Sequence, residues 1–493
     1  MSRPRTQAEY LARLVPPSVQ ALSRRSVITR ALGAGALLGL GGSLAACGGD
    51  DDDGAAATTA GGTSPGTTGT TGGTTASTTA GTAAGTAAGT TAGTTAGTGG
   101  AVPAASGTIT LGSNASDDVP KGVLADMVKA FTDANPDADV PINTIEHETF
   151  QENISNYLQG NPDDVWTWFS GYRMQFFAER GLAGDISDVW QNLTGFTDAF
   201  KKASTSSDGK QYFVPQSYYP WAVFFRKSLW EEKGYEAPTT FDEMNTLAAT
   251  MQDDGLIPFA FADKDGWPAM GTFDILNMRI NGYDFHISLM AGDESWESAE
   301  VKNVFDTWRG ILPLHQPDSL GRTWQEAAQS LVSKEAGMYL LGMFVSEQFP
   351  EADVEDLDFF KYPELDSNVG TGAIDAPIDG MMMAPDPDNE EGAKALLTWF
   401  GSAGAGTILN TENPGAISAN SEADTSMFSD LKNRGVELVG SAESIAQFLD
   451  RDTRPDFAST VMIPALQDFI RNPDDIDGLT KSIEAQKKSI FTD

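Results

Sequence analysis

This chain holds 3 histidines, 1 cysteine and 69 acidic side chains, and their spacing decides which reactions are open to it. His147, His286 and His315 are scattered, with no His-x-x-x-His or His-Glu-x-x-His spacing to seat zinc on one helix face. Cys47 is the only thiol, so neither a disulfide framework nor a cysteine metal site can form further along the chain. Asp386-Pro387-Asp388-Asn389-Glu390-Glu391-Gly392 starts like a calcium loop, yet its sixth position is Glu391, where the sharp turn needs glycine. The expected job of Asn389 is to cap the helix that follows. The glycines between Gly401 and Gly406 follow a helix and not a strand, which removes the context of a dinucleotide fingerprint. Acidic residues are too numerous for any one pair to mark a hydrolytic dyad. No catalytic residue, metal or cofactor is therefore expected.

Cys47 has a context of its own. It ends Leu44-Ala45-Ala46-Cys47, behind a Gly/Ala/Leu stretch from Ala31 to Leu40 and the basic run Ser23-Arg24-Arg25-Ser26-Val27-Ile28. This resembles a bacterial twin-arginine export signal closed by a lipobox. The apolar stretch falls short of the roughly 20 residues that a membrane span needs. The resemblance implies a signal peptide over residues 1–46, cleavage before Cys47 and lipid attachment to it. The protein would then be extracytoplasmic, anchored by lipid to the outer face of the cell membrane.

Residues 47–105 are dominated by Gly, Thr and Ala, a composition that cannot bury enough apolar surface to offset the entropy of ordering. A flexible linker is expected there, spanning on the order of 40 Å. Folding capacity begins near Ser106: all 10 tryptophans lie beyond it. The net charge of −37 leaves no basic stripe for a polyanion, so nucleic acid is not an expected partner.

From there the chain alternates short apolar runs with amphipathic stretches, which predicts an α/β fold. Strands are expected at Thr108–Gly112, around Val140–Ile145, at Asp164–Trp168, at Gly337–Val345 and at Gly380–Ala384. Val123, Leu124, Met127, Val128 and Phe131 recur at helical spacing until Asn135-Pro136. Thr240-Phe241-Asp242-Glu243 reads as a capping box. Ile476, Leu479, Ile483 and Ile490 mark a last helix.

The order of these pieces resembles the extracellular solute-binding proteins of bacterial ABC importers, family 1, in their carbohydrate-binding branch. The resemblance rests on Gly181-Leu182-Ala183-Gly184-Asp185-Ile186, on Gly209-Lys210-Gln211-Tyr212-Phe213-Val214-Pro215, and on Lys227-Ser228-Leu229-Trp230 through Gly234 followed by Pro238-Thr239-Thr240-Phe241-Asp242-Glu243. Ala336 to Gly342 and the helix of Ala393–Leu409 extend it. The chain departs from the family pattern at Phe225-Arg226, where Tyr-Asn is usual, and at Phe241, where Trp is usual. The resemblance implies a two-lobed periplasmic-binding-protein fold, with a hinge and a ligand cleft between lobes at 106–216 plus 373–432 and 217–372 plus 433–493. It also implies a monomer that captures a sugar or oligosaccharide without enzymatic activity and delivers it to the permease subunits of an ABC importer by cleft closure. The alternatives are a surface sensor or adhesion protein on the same fold, and a secreted glycan-active enzyme.

Sugar recognition asks for aromatic faces against the C–H surface of the ring and for fixed donors and acceptors against its hydroxyls. Within the implied fold, loops at the cleft side of the strands supply Asp117, Glu148, Trp168 and Ser170. The hinge crossing supplies Tyr219 and Trp221, and the turn Asp265-Gly266-Trp267-Pro268 supplies Trp267. Trp324, Phe344 and Asp375 complete the expected set. Trp166 and Trp168 share a strand face at period two, so at least one of them is expected in the core. Trp230, Trp308 and Trp399 fall on helical apolar faces and are expected there too.

Overall fold

The computed structural model describes residues 102–492. The signal-peptide reading, the lipid attachment at Cys47 and the linker up to residue 101 lie outside the described residues. The folded part starts a little earlier than composition suggests, because Asn135 pins residues 103–105. Its Oδ1 accepts from Ala105 N at 2.8 Å and its Nδ2 donates to Pro103 O at 3.0 Å.

Two sheets form the framework of two α/β lobes. The first takes strands β1 (Leu111–Ser113), β2 (Ile142–Thr144), β3 (Val165–Phe169) and β4 (Val214–Tyr218). The second takes β5 (Trp221–Arg226), β6 (Ile257–Ala260), β7 (Ala336–Gly342) and β8 (Leu357–Phe360). Then come β9 (Ala373–Asp375), β10 (Ile378–Met383), β11 (Ile417–Ser418) and β12 (Ser444–Ala446). The first sheet runs β11-β4-β10-β3-β1-β2, the second β8-β5-β7-β6, and β9 pairs with β12 alone. β2, β1 and β3 are parallel, and β10 then runs antiparallel to β3.

The parallel strands need crossover helices. α1 (Asp118–Ala134) buries Val123, Leu124, Met127, Val128 and Phe131 as one stripe, and α2 (His147–Gln159) buries Phe150, Ile154 and Leu158. Every residue of β3 is buried, with Val165 packed on one face of the sheet and Trp166 and Trp168 on the other. Met381 and Met383 of β10 join the first of these clusters and Met382 the second. The period-two pattern thus holds, and both Trp166 and Trp168 belong to the core. Trp230, Trp308 and Trp399 are also buried.

In the second lobe the capping box of Thr240 and Glu243 opens α3 (Phe241–Asp253). α4 (Pro268–Asn281) is buried along most of its length, and α5 (Trp324–Val332) opens on a second capping box, between Thr323 and Glu326. β7 ends at Gly342 and gives way to a 3-10 turn, Met343–Gln348, so the strand is shorter than the apolar run suggests and Phe344 sits in that turn. Asn389 caps the helix Glu390–Phe400, its side chain accepting from Gly392 N at 3.0 Å. The last helix is Ile476–Ile490.

The chain passes from the first sheet to the second within two residues at Tyr219-Pro220, and from the β9–β12 pair back into the first sheet at Ala376-Pro377. A third passage follows β11 and leads to the helix Asp430–Gly440, which packs on β8. Ser217 and Tyr218 pair within the first sheet, while 373–375 pair with β12 and lie beside α4.

Candidate ligand-binding site

A cavity of about 590 Å³ lies between the two sheets, within the size range of small-molecule sites. On the first-lobe side it opens at the carboxyl ends of β1, β2 and β3, where an α/β sheet reverses direction and offers a crevice. Asp117 follows β1 and Glu148 follows β2, and both reach the cavity. α2 is capped there by Glu146, whose carboxylate accepts from Glu148 N at 3.2 Å and Thr149 N at 2.8 Å. Burial lowers the basicity of His147, against the pull of Asp379. Asn114 joins this side, its Oδ1 accepting from Thr167 Oγ1 at 2.7 Å.

The second-lobe side is an aromatic wall around Phe344. Trp324 stands edge-on to it at 5.0 Å between centroids, Tyr219 at 5.2 Å, Trp267 at 5.9 Å and Trp221 at 6.4 Å. Trp221 also tilts against Phe448 at 4.8 Å. The local chain explains each placement. Trp221 begins β5 directly after the first crossing. Gly266 has φ +82°, a turn that suits glycine, and it delivers Trp267 to the N-cap of α4 with Pro268 at N1. Trp324 is the first residue of α5.

The floor is polar. Arg451 donates through Nη1 to Asp379 Oδ1 at 2.8 Å and through Nη2 to Tyr219 Oη at 3.1 Å. Burial works against its charge, but Tyr219, Asp379 and Asp450 outweigh that and hold it firmly protonated. Asp379 is aimed by a shift of register in β10 between Asp379 and Gly380, the kind of irregularity that redirects a side chain. Across the mouth, Gln325 Nε2 of the second lobe donates to Asp117 Oδ1 of the first at 3.1 Å. Glu347 also lines the cavity, its carboxyl pushed up to about 8 by burial.

Of the residues expected from sequence, Asp117, Glu148, Trp168, Tyr219, Trp221, Trp267, Trp324 and Phe344 line this one cavity. Trp168 does so from within the core, 1% exposed, with Nε1 directed at Arg173 O at 3.4 Å. Trp267 is not a free-standing exposed ring; it is half-buried against Trp221 and Phe344. Two residues are misplaced by the sequence reading. Ser170 is fully buried and donates to Gln447 Oε1 at 2.7 Å, away from the cavity. Asp375 ends β9, which pairs with β12 and not with either large sheet, so its carboxylate is buried behind the crossing near Asp274 and Asp452. The sequence reading also missed Asp379, Asp450 and Arg451. Asp379 is the only acid in the apolar run Ile378–Met383, and Asp450-Arg451-Asp452 follows the apolar pair Phe448-Leu449, signals that could have drawn notice.

Residues 116–407 match the family described as bacterial extracellular solute-binding protein. A lobed α/β fold with a walled cleft is the architecture of that class, and this chain belongs to it. Among solved structures it is similar to the bacterial solute receptor AcbH, described as having an exclusive preference for β-D-galactopyranose. The two are 44% identical with a TM-score of 0.77, covering 78% of this chain and 100% of that one. A chitin oligosaccharide binding protein shares the fold at 21% identity and TM-score 0.70, covering 78% of this chain and 99% of its own. An ABC transporter extracellular-binding protein of Pyrococcus horikoshii is 22% identical over 349 residues, 68% of this chain and 76% of that one.

Proposed function

We propose that this protein is an extracytoplasmic receptor that captures a carbohydrate between its lobes and presents it to the permease subunits of an ABC importer. The first candidate ligand is a hexopyranose of the β-D-galactopyranose type. The observation that carries this reading is the pairing, in one interlobe cavity, of a wall of edge-packed aromatic rings with a floor of fixed donors and acceptors. Rings of this kind cover the apolar face of a pyranose, and the polar floor meets its hydroxyls. The 44% identity to a galactopyranose receptor supports the same ligand class.

In this reading the protein is a monomer without catalytic activity, with lobes near 102–218 plus 376–429 and 219–375 plus 430–492. Capture closes the lobes, and the closed form is what the permease distinguishes. Cys47 carries the lipid that holds the protein at the outer face of the membrane. Cys47→Ala is expected to abolish labelled fatty-acid incorporation, and retained label would contradict the anchor. For ligand capture, a thermal-shift panel of mono-, di- and oligosaccharides is the direct test. A sugar bound by the native state raises the melting temperature with concentration; a panel with no shift would contradict the reading.

A further inference from the structure

An alternating row of charges starts at the floor of the cavity with Asp379, Arg451 and Asp450 and continues behind it to Arg173. Asp379 stands on β10 of the first sheet, and Arg451 and Asp450 on the one-turn helix Leu449–Asp452 that follows β12. Arg173, on the helix Tyr172–Ala178, closes the row by donating to Asp450 Oδ2 at 2.8 Å. Arg451 lies with its guanidinium 4.3 Å from the centroid of Phe169, so its plane is held by packing below and by Asp379 and Tyr219 at its edge. Its side chain is 8% exposed, whereas that of Asp379 is 33% exposed.

A carboxylate and a guanidinium fixed side by side present an acceptor beside a donor. Two neighbouring hydroxyls of a pyranose are the complement, since each can donate or accept. Hydrogen bonds to charged partners are also the stronger ones. The same pair is a poor counter-ion for an acid, because Arg451 is already balanced by Asp379 and Asp450. Around it Asp117, Glu148 and Asp265 add negative charge, against Lys264 as the other cation of the lining. Resting on the sugar-receptor reading above, we infer that the Asp379–Arg451 pair reads a vicinal diol of an uncharged monosaccharide and that the site rejects sugar acids.

The test is titration calorimetry on the full chain with D-galactose, D-glucose and D-mannose, each beside its uronic acid, and with the monodeoxy forms of whichever neutral sugar binds. The uronic acid and at least one deoxy sugar are expected to bind about tenfold or more weakly than the parent. Arg451→Lys, which keeps the charge but loses the planar fork, and Asp379→Asn are expected to lose a similar factor while melting cooperatively without sugar. A uronic acid bound as tightly as its neutral parent, or both variants retaining full affinity, would overturn the inference while leaving the sugar receptor standing. Absence of binding by every neutral sugar would remove the receptor reading and this inference together. Should a variant fail to fold, the uronic acid and deoxy comparisons on the unaltered chain decide alone.

Discussion

At the scale of single residues, the site divides into side chains that make the wall and side chains that make the floor, and Trp267 is the wall residue easiest to isolate. It is half-buried, its Nε1 has no partner among the described residues, and it touches Trp221 and Phe344 by their edges. Trp267→Ala is expected to weaken sugar binding by about 1–3 kcal/mol, as for an aromatic anchor at an interface. The loss of folding stability should stay below the about 3–5 kcal/mol that truncating a fully buried tryptophan costs. Urea unfolding and affinity measured on the same variant separate the two effects, and a large stability loss with affinity intact would contradict the assignment. The aromatic wall was legible because large rings in turns and at strand or helix starts have no periodic face to bury them. Arg451 and Asp379 were not, since a charge in a turn or at a strand end reads as surface until the fold shows what covers it.

At the scale of elements, the aromatic wall depends on a close approach between α4 and β5. Gly271 lies in the first turn of α4, and a Cβ there would clash with the Trp221 ring. On a free helix, alanine in place of glycine stabilises by about 1 kcal/mol. Here the ring must move, so Gly271→Ala is expected to lower both the melting temperature and sugar affinity. A raised melting temperature with unchanged affinity would show that the ring is not held against the helix. The apolar runs of β3 and β7 and the stripe of α1 could be read directly from periodicity. The break between β9 and β10 could not, because Ala373–Asp375 and Ile378–Met383 are similarly apolar, and only strand pairing assigns them to different sheets. That is also why Asp375 was expected at the cleft and is found buried behind the crossing.

At the scale of the whole molecule, buried titratable groups set how stability depends on pH. His286 and His315 are lowered to about 3 by burial. The unfolded chain therefore takes up protons that the folded one refuses, and stability falls as pH drops from about 6.5 toward 3. Asp263 is raised to about 8 by burial, its Oδ1 accepting from Ala269 N at 2.8 Å. Its contribution has the opposite sign: full below the ordinary carboxylate range near 4, and lost as pH rises through 8. Asp274 and Asp375, raised by burial and by neighbouring carboxylates, act in the same direction. Asp263→Asn keeps the uncharged form, so its melting temperature is expected to fall less than that of the parent between about pH 6 and 9. Superimposable pH curves would contradict the assignment. In the proposed function the cavity is one unit that two lobes build for one small sugar, and titration of the full chain with D-galactose tests this most directly. Saturable binding of one sugar per chain with a negative heat-capacity change is the expected result, and the absence of saturable heat with galactose and with every other neutral hexose would contradict it.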